Sequence, residues 1–519
     1  MSREFSRRQF LSSVSTGTLI ATLGPHIASE LGFFPKALGD GFEEKPLHFG
    51  NMESLVCQMQ ETPVEQLQSQ LARMIATGTS LRTFIGAAAL ANARTFGGED
   101  YVGFHTFMAM APALEMSKRL PTHLAPLPVF KVLYRNTDRI QQFGGRDAEV
   151  LHQLDPPVVT VNGGNLQEAI VNGETSQSEH ILRQLISDSP VDALNALVPL
   201  VLHNPEVHRT VLPFRAWDMQ RIVGTEHAMT LLRQSLHYCL AQPQIYQREA
   251  WKKNGDLLTS LLDEFRLLQN PPGSRMADDA KLEELTEYFS TCQPDDAARA
   301  AAMTLSEGFH PSVIAEAVSL AATRLVLRDA GRLPQWESVG KPAGCVHGDS
   351  PGVHASDTAN AWRHMAKVTT GASAMACVIF SAWEIARDRT ASPNLLNSPL
   401  PTERHLAELT SADPDRLLIQ LEESIRQNQQ AHATAIAYQY GQKGLPVDRI
   451  FSTLLKFAVS EDGALHAEKY FQTVQDEFAS TRAAYRWQHV AALARVTASE
   501  YGHPAPGQDE ARQLLGVQD

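Results

Sequence analysis

The sequence predicts an all-α protein: a large, bundle-like body of many helices, in one piece or as two packed helical halves. Three observations carry that prediction. From Ser80 onward apolar residues recur at helical spacing, as in Leu81, Phe84, Ile85, Ala88 and Ala89. Alternating runs of strand-forming residues are almost absent. Hydrophobic residues make up 43% of the 519 residues and charged residues 20%, which supplies a sizeable core and excludes wholesale disorder.

Taken in order, the chain opens on Ser6-Arg7-Arg8-Gln9-Phe10-Leu11, the pattern of a twin-arginine export signal, followed by a weakly apolar stretch from Val14 to Leu23 and a break at Pro25. Residues 1–45 therefore read as signal and spacer outside the fold. The expected partner is the twin-arginine translocation machinery, and the expected location is the periplasm or another exported compartment. Pro25-His26-Ile27-Ala28 offers no clean cleavage site, so the segment could stay as an N-terminal membrane anchor. This export route carries folded proteins, often with a cofactor already inserted.

Helical spacing then runs approximately over 102–119, 127–142, 176–203, 215–241, 246–268, 311–330, 354–387, 415–440 and 464–497. Val158-Val159-Thr160-Val161 reads as a short strand, with Asn162-Gly163-Gly164 as its turn. Joints are marked by Pro156-Pro157, by Pro271-Pro272-Gly273-Ser274 and by the segment from Gly331 to Gly352. The second joint divides an N-terminal half, 46–270, from a C-terminal half, 275–500.

The formal charge of -13 speaks against nucleic-acid binding, which needs a basic footprint to neutralise phosphates. Beyond the N-terminus no run approaches the length of apolar chain that spans a bilayer. The five cysteines, Cys57, Cys239, Cys292, Cys345 and Cys377, show no CxxC spacing, so no iron-sulfur cluster or c-type haem attachment can be built from them. GxGxxG after a strand, GxxxxGK[ST], GxSxG and HExxH are all missing, which leaves no nucleotide or flavin motif and no support for a hydrolase or zincin.

The histidines carry the chemical argument, because many of the 19 lie among Ala, Leu, Met and Phe in helices. Three helices open alike: His105 with Glu115 ten residues on, His227 with His237, and His354 with His364. Ten residues turn a helix by about 1000°, which leaves the second group about 80° from the first. One helix therefore cannot supply both members, whereas the first members from several packed helices can converge in a bundle core. Cys345, His347, Asp349, His354 and Asp357 form the densest cluster. His354 and Asp357 share a helix side, and with His347 they are the candidate metal ligands, since imidazole with carboxylate suits a first-row transition metal. His432 and His466 also lie in Ala-rich helical settings, with Lys469 following His466 by about one turn.

His105-Thr106-Phe107-Met108-Ala109-Met110-Ala111-Pro112-Ala113-Leu114-Glu115 resembles a helix of the questin oxidase-like proteins. His227-Ala228-Met229-Thr230 is similar to a helix start of that family, and His466-Ala467-Glu468-Lys469 after Asp462-Gly463 to its C-terminal helix. The resemblance, in short blocks such as these, covers about a third of the chain. The resemblance implies an all-helical oxidoreductase that inserts oxygen next to a carbonyl of an aromatic polyketide or quinone-like compound, with His105, Glu115, His227 and His466 facing the pocket.

Because O2 is a ground-state triplet, such a reaction needs a redox metal, a flavin or a substrate made into an electron-rich anion. Two routes remain: a transition metal or haem held by histidines, or a general base, His227 assisted by Glu226 or Glu115. His105, His466 and Lys469 are the candidate cofactor-binding residues. The sequence thus leads to an exported oxidoreductase with a His/Glu-lined pocket for an aromatic or quinone-like ligand. The alternative is a non-catalytic periplasmic protein that binds a metal, haem or small molecule.

Overall fold

The computed structural model describes residues 45–154, 166–241, 244–270, 272–392, 394–409, 411 and 413–517. The twin-arginine pattern and the strand expected at Val158–Val161 lie outside the described residues. Within them the chain is all-α, a body of packed helices with only isolated β-bridges between them. None of these helices is long and apolar enough to cross a membrane.

Eight helices frame the interior discussed below. They are α1 (Leu81–Phe96), α2 (Tyr101–Ser117), α3 (Pro126–Phe143), α4 (Val207–Val223), α5 (Pro351–Val368), α6 (Val447–Ser460), α7 (His466–Ser480) and α8 (Trp487–Glu500). Their starts are set by capping chemistry. Ser80 accepts from the Thr83 amide, Asp100 from the Gly103 amide at 2.7 Å, and Glu206 from the His208 and Arg209 amides. Pro351 opens α5, where a missing N–H costs nothing.

Several long helical stretches are broken into pairs, and the breaks have local causes. The stretch 354–387 divides at Thr369 and Thr370, both extended, into α5 and a helix over Gly371–Ala391. The stretch 415–440 divides at Asn428, whose φ of +53° turns the chain between Pro414–Arg426 and Gln430–Gln442. The stretch 176–203 divides at Ser189, which caps a new helix opened by Pro190. Periodicity carries across such breaks because the apolar face is resumed, so the sequence pattern alone does not show them.

α2 is buried around nearly its whole circumference, as expected of a helix at the centre of a large body. It packs against α1, α3, α4 and α7, and α5 packs against both α4 and α7. The central group therefore takes α2 and α4 from the N-terminal half of the chain and α5 and α7 from the C-terminal half. One continuous apolar core runs from Phe49 to Ala511 across both halves.

Candidate functional site

Four imidazoles, one from each of α2, α4, α5 and α7, meet between these helices. His105 sits 4.8 Å from His208 between ring centroids, His208 5.7 Å from His354, His354 5.3 Å from His466, and His466 5.1 Å from His105. The four close a ring. Tyr101 and Phe104 pack against it from the first turn of α2.

The hydrogen bonds fix which nitrogen of each ring carries a proton. His105 Nδ1 donates to the Tyr101 carbonyl one turn earlier at 2.7 Å, which leaves Nε2 with its lone pair, buried and without a partner. His466 Nδ1 donates to the Ala464 carbonyl at 3.0 Å, so its Nε2 accepts from His354 Nε2 at 3.2 Å. His208 Nδ1 donates to Glu206 Oε2 at 3.0 Å, and its Nε2 is again buried and unpartnered. Burial, reinforced by the nearby charge of Lys469, holds His105 and His466 well below the ordinary imidazole range. Burial, with His208 and Lys469 nearby, pushes His354 down to about 3. These three rings are neutral at pH 7.

Glu206 is the anchor of this arrangement. Besides His208 Nδ1 it accepts from the His208 amide at 3.0 Å, the Arg209 amide at 2.6 Å and the Tyr238 hydroxyl at 2.9 Å. Burial alone would raise its carboxyl; His208 and these donors outweigh burial and hold it well below the carboxylate range. It is thus an ionised group that orients a base through the far nitrogen of the ring.

Lys469 and Asp357 lie one turn beyond His466 and His354 on the same helix sides. Lys469 is 3% exposed and makes no hydrogen bond or ion pair with a described residue. Burial lowers it to about 8, against the opposing pull of Asp357. Asp357 is itself pushed above the carboxylate range by burial, and its Oδ1 accepts from Thr473 at 2.7 Å. A further buried cation, Arg215, comes two turns after His208 on α4, and its Nε has no acceptor.

The local fold places α7 with care. A turn over Gly463–Leu465 holds two non-glycine residues, Ala464 and Leu465, at φ of +46° and +66°, immediately before His466. Gly348 approaches so closely that a Cβ there would lie 2.2 Å from His466 Cβ. Lys131 of α3 forms a fully buried ion pair with Glu468 at 2.6 Å and ties α7 to the N-terminal helices. A cavity of about 10 Å³ opens on the far side of His466, between Tyr470, Leu493 and Glu500, room for about one water.

Of the residues expected from the sequence, His105, His354, His466, Lys469 and Asp357 are brought together. His347 stands at the edge, its ring 6.3 Å from His466, in a separate charged group with Asp349 at 3.2 Å and Glu500 at 3.6 Å. The expected metal set is thereby split, with His354 and Asp357 at the ring and His347 in its own charged group. Among the described residues no group of three or more His, Cys, Asp or Glu side chains is disposed to hold a metal ion. Lys469 beside the imidazoles would also repel a dication there.

His227, Glu226 and Glu115 lie elsewhere. His227 ends a short 3₁₀ turn over Thr225–His227, half-buried with its edge toward Phe49 at 5.7 Å, while Glu226 is exposed. Glu115 pairs at the surface with Lys118 and Arg221. The helix that supplies the fourth ring is α4, with His208, which the sequence reading passed over. The signal was present in Glu206 and His208 at a helix start with Arg215 two turns on. A glutamate there reads first as a cap, and Glu206 is both cap and partner.

Comparison with known proteins gives no matching family model, no matching curated protein and no matching solved structure.

Proposed function

We propose that the ring of imidazoles is a proton-transfer site and that the protein is an oxidoreductase acting on an aromatic or quinone-like small molecule. The observation that carries this reading is the Glu206–His208 pair, whose buried Nε2 has no partner and whose ring packs against the neutral rings of His105 and His354. A carboxylate that fixes one ring nitrogen leaves the other poised as a base.

In this reading His208 Nε2 takes the proton of an acidic phenolic O–H, and the ionised Glu206 stabilises the imidazolium that forms. The phenolate is electron-rich enough to react with O2. For a hydroquinone the balance closes without another reactant: two electrons and two protons pass to O2, giving the quinone and hydrogen peroxide. Burial of the ring keeps bulk water from competing for the proton. The resemblance of the His105 and His466 segments to questin oxidase-like helices points toward the same substrate class, and the twin-arginine pattern toward an exported enzyme.

Oxygen uptake with a panel of naphthohydroquinones and polyhydroxylated aromatics tests the reading. Wild-type protein should consume O2 with at least one member. His208→Ala should lose about 10²-fold or more of that rate while keeping its circular dichroism and unfolding transition. Uptake that survives undiminished in His208→Ala would overturn it, and tight binding with no turnover would favour a carrier.

A further inference from the structure

Lys469 is a buried charged group beside the inner ring that the proton-transfer reading leaves without a task. An ammonium removed from water is strongly disfavoured unless it is paired, and interior lysines are ordinarily held by a carboxylate or by carbonyl oxygens. Lys131, a few residues away in space through Glu468, shows the ordinary case: a carboxylate at 2.6 Å and the Ala458 carbonyl at 2.9 Å. Lys469 is 97% buried and has neither. Asp357 influences it electrostatically yet is too far for an ion pair, and that carboxylate is engaged by Thr473. Arg215, Glu468 and the imidazoles of His105, His354 and His466 lie within electrostatic range of the amine, and its charge helps to keep those three rings neutral. This is the setting of a nucleophilic amine: desolvated and unpaired, so that its ammonium is the disfavoured form.

We propose that Lys469 is a covalent catalyst that forms an imine with a carbonyl group of the substrate, within the ring of imidazoles from α2, α4, α5 and α7. The substrate class narrows to aromatic compounds that bear a ketone, aldehyde or quinone carbonyl. In the first step the ammonium, which burial makes the disfavoured form, releases a proton, and the amine lone pair forms the C–N bond as the carbonyl π pair takes up a proton. Loss of that oxygen as water then gives the iminium. Ammonium and carbonyl compound are thereby converted to iminium and water with no change of oxidation state. Where the substrate carries an adjacent C–H the iminium acidifies it, and His208 of the same ring would remove that proton and release an electron-rich enamine. The last point rests on the reading of His208 as the base; imine formation itself does not.

Trapping with benzaldehyde and cyanoborohydride, followed by peptide mapping of the intact folded protein, tests the proposal. The expected result is a stable benzylamine at Lys469, formed about tenfold faster than at exposed lysines such as Lys443. Lys469→Arg should lose this fast adduct and keep the slow surface labelling. Labelling spread over exposed lysines with Lys469 unmodified would overturn the proposal, and that result is read on wild-type protein without any variant. His208→Ala separates the two readings. If it still forms the Lys469 adduct but consumes no O2, both stand, whereas an adduct at Lys469 with unchanged O2 uptake in that variant removes the base and keeps the imine.

Discussion

Each inner histidine is held by a bond to one nitrogen that decides what the other can do. Two rings use a main-chain carbonyl, His208 uses a carboxylate, and only the last can gain basicity from its partner. Neutrality at these positions has a thermodynamic consequence. In the unfolded chain His354 takes a proton as pH falls through about 6.5, whereas in the fold it stays neutral to about 3. Protons therefore favour unfolding across that window: the stability present above it is lost as pH falls, by about 1.4 kcal/mol per pH unit for one such ring. Urea unfolding at about pH 6 and pH 4.5 should show wild-type protein losing about 2 kcal/mol more than His354→Gln over the same interval. Equal losses would show that His354 is protonated in the folded state.

At the scale of elements, the placement of α7 depends on the close approach of Gly348. The Cβ added by Gly348→Ala would meet the backbone-fixed Cβ of His466, which cannot yield without moving the start of the helix. A loss of about 1–3 kcal/mol is expected, with displaced resonances for His466 and His354 but little change at His489, which is bonded separately to Thr323 and Thr481. Unchanged stability would mean that the turn before α7 is loose. The same elements explain what was legible in the sequence. His105, His354 and His466 stood out because each interrupts an apolar helix face, and first positions on packed helices did converge. His227 has the same local pattern, but a 3₁₀ turn precedes its helix and carries the ring to the flank. His208 was harder to read because it stands at the very start of its helix, where Glu206 serves as the cap. Arg215 is buried on α4, which packs against both α2 and α5, a placement that its position in the sequence does not report.

For the whole molecule, class was readable and topology was not. Helical periodicity reports which face is apolar, and it predicted an all-α body correctly. It does not report which helices meet, and the ring exists only because helices more than 350 residues apart in sequence, α2 and α7, lie side by side. That dependence links the chemistry to complete folding, which suits export of a folded chain. Replacing both Arg7 and Arg8 with Lys should leave the protein in the cytoplasm, as followed by fractionation, and normal delivery of that variant would contradict the twin-arginine reading. The most direct measurement is long-range ¹H–¹⁵N correlation of the histidine side chains at about pH 5, where an ordinary imidazole is charged. His105 and His466 should show neutral rings protonated at Nδ1, and His354 a neutral ring protonated at Nε2. Imidazolium signals for these three at that pH would mean that the interior ring is wet and charged, and that the enclosed base described here does not exist.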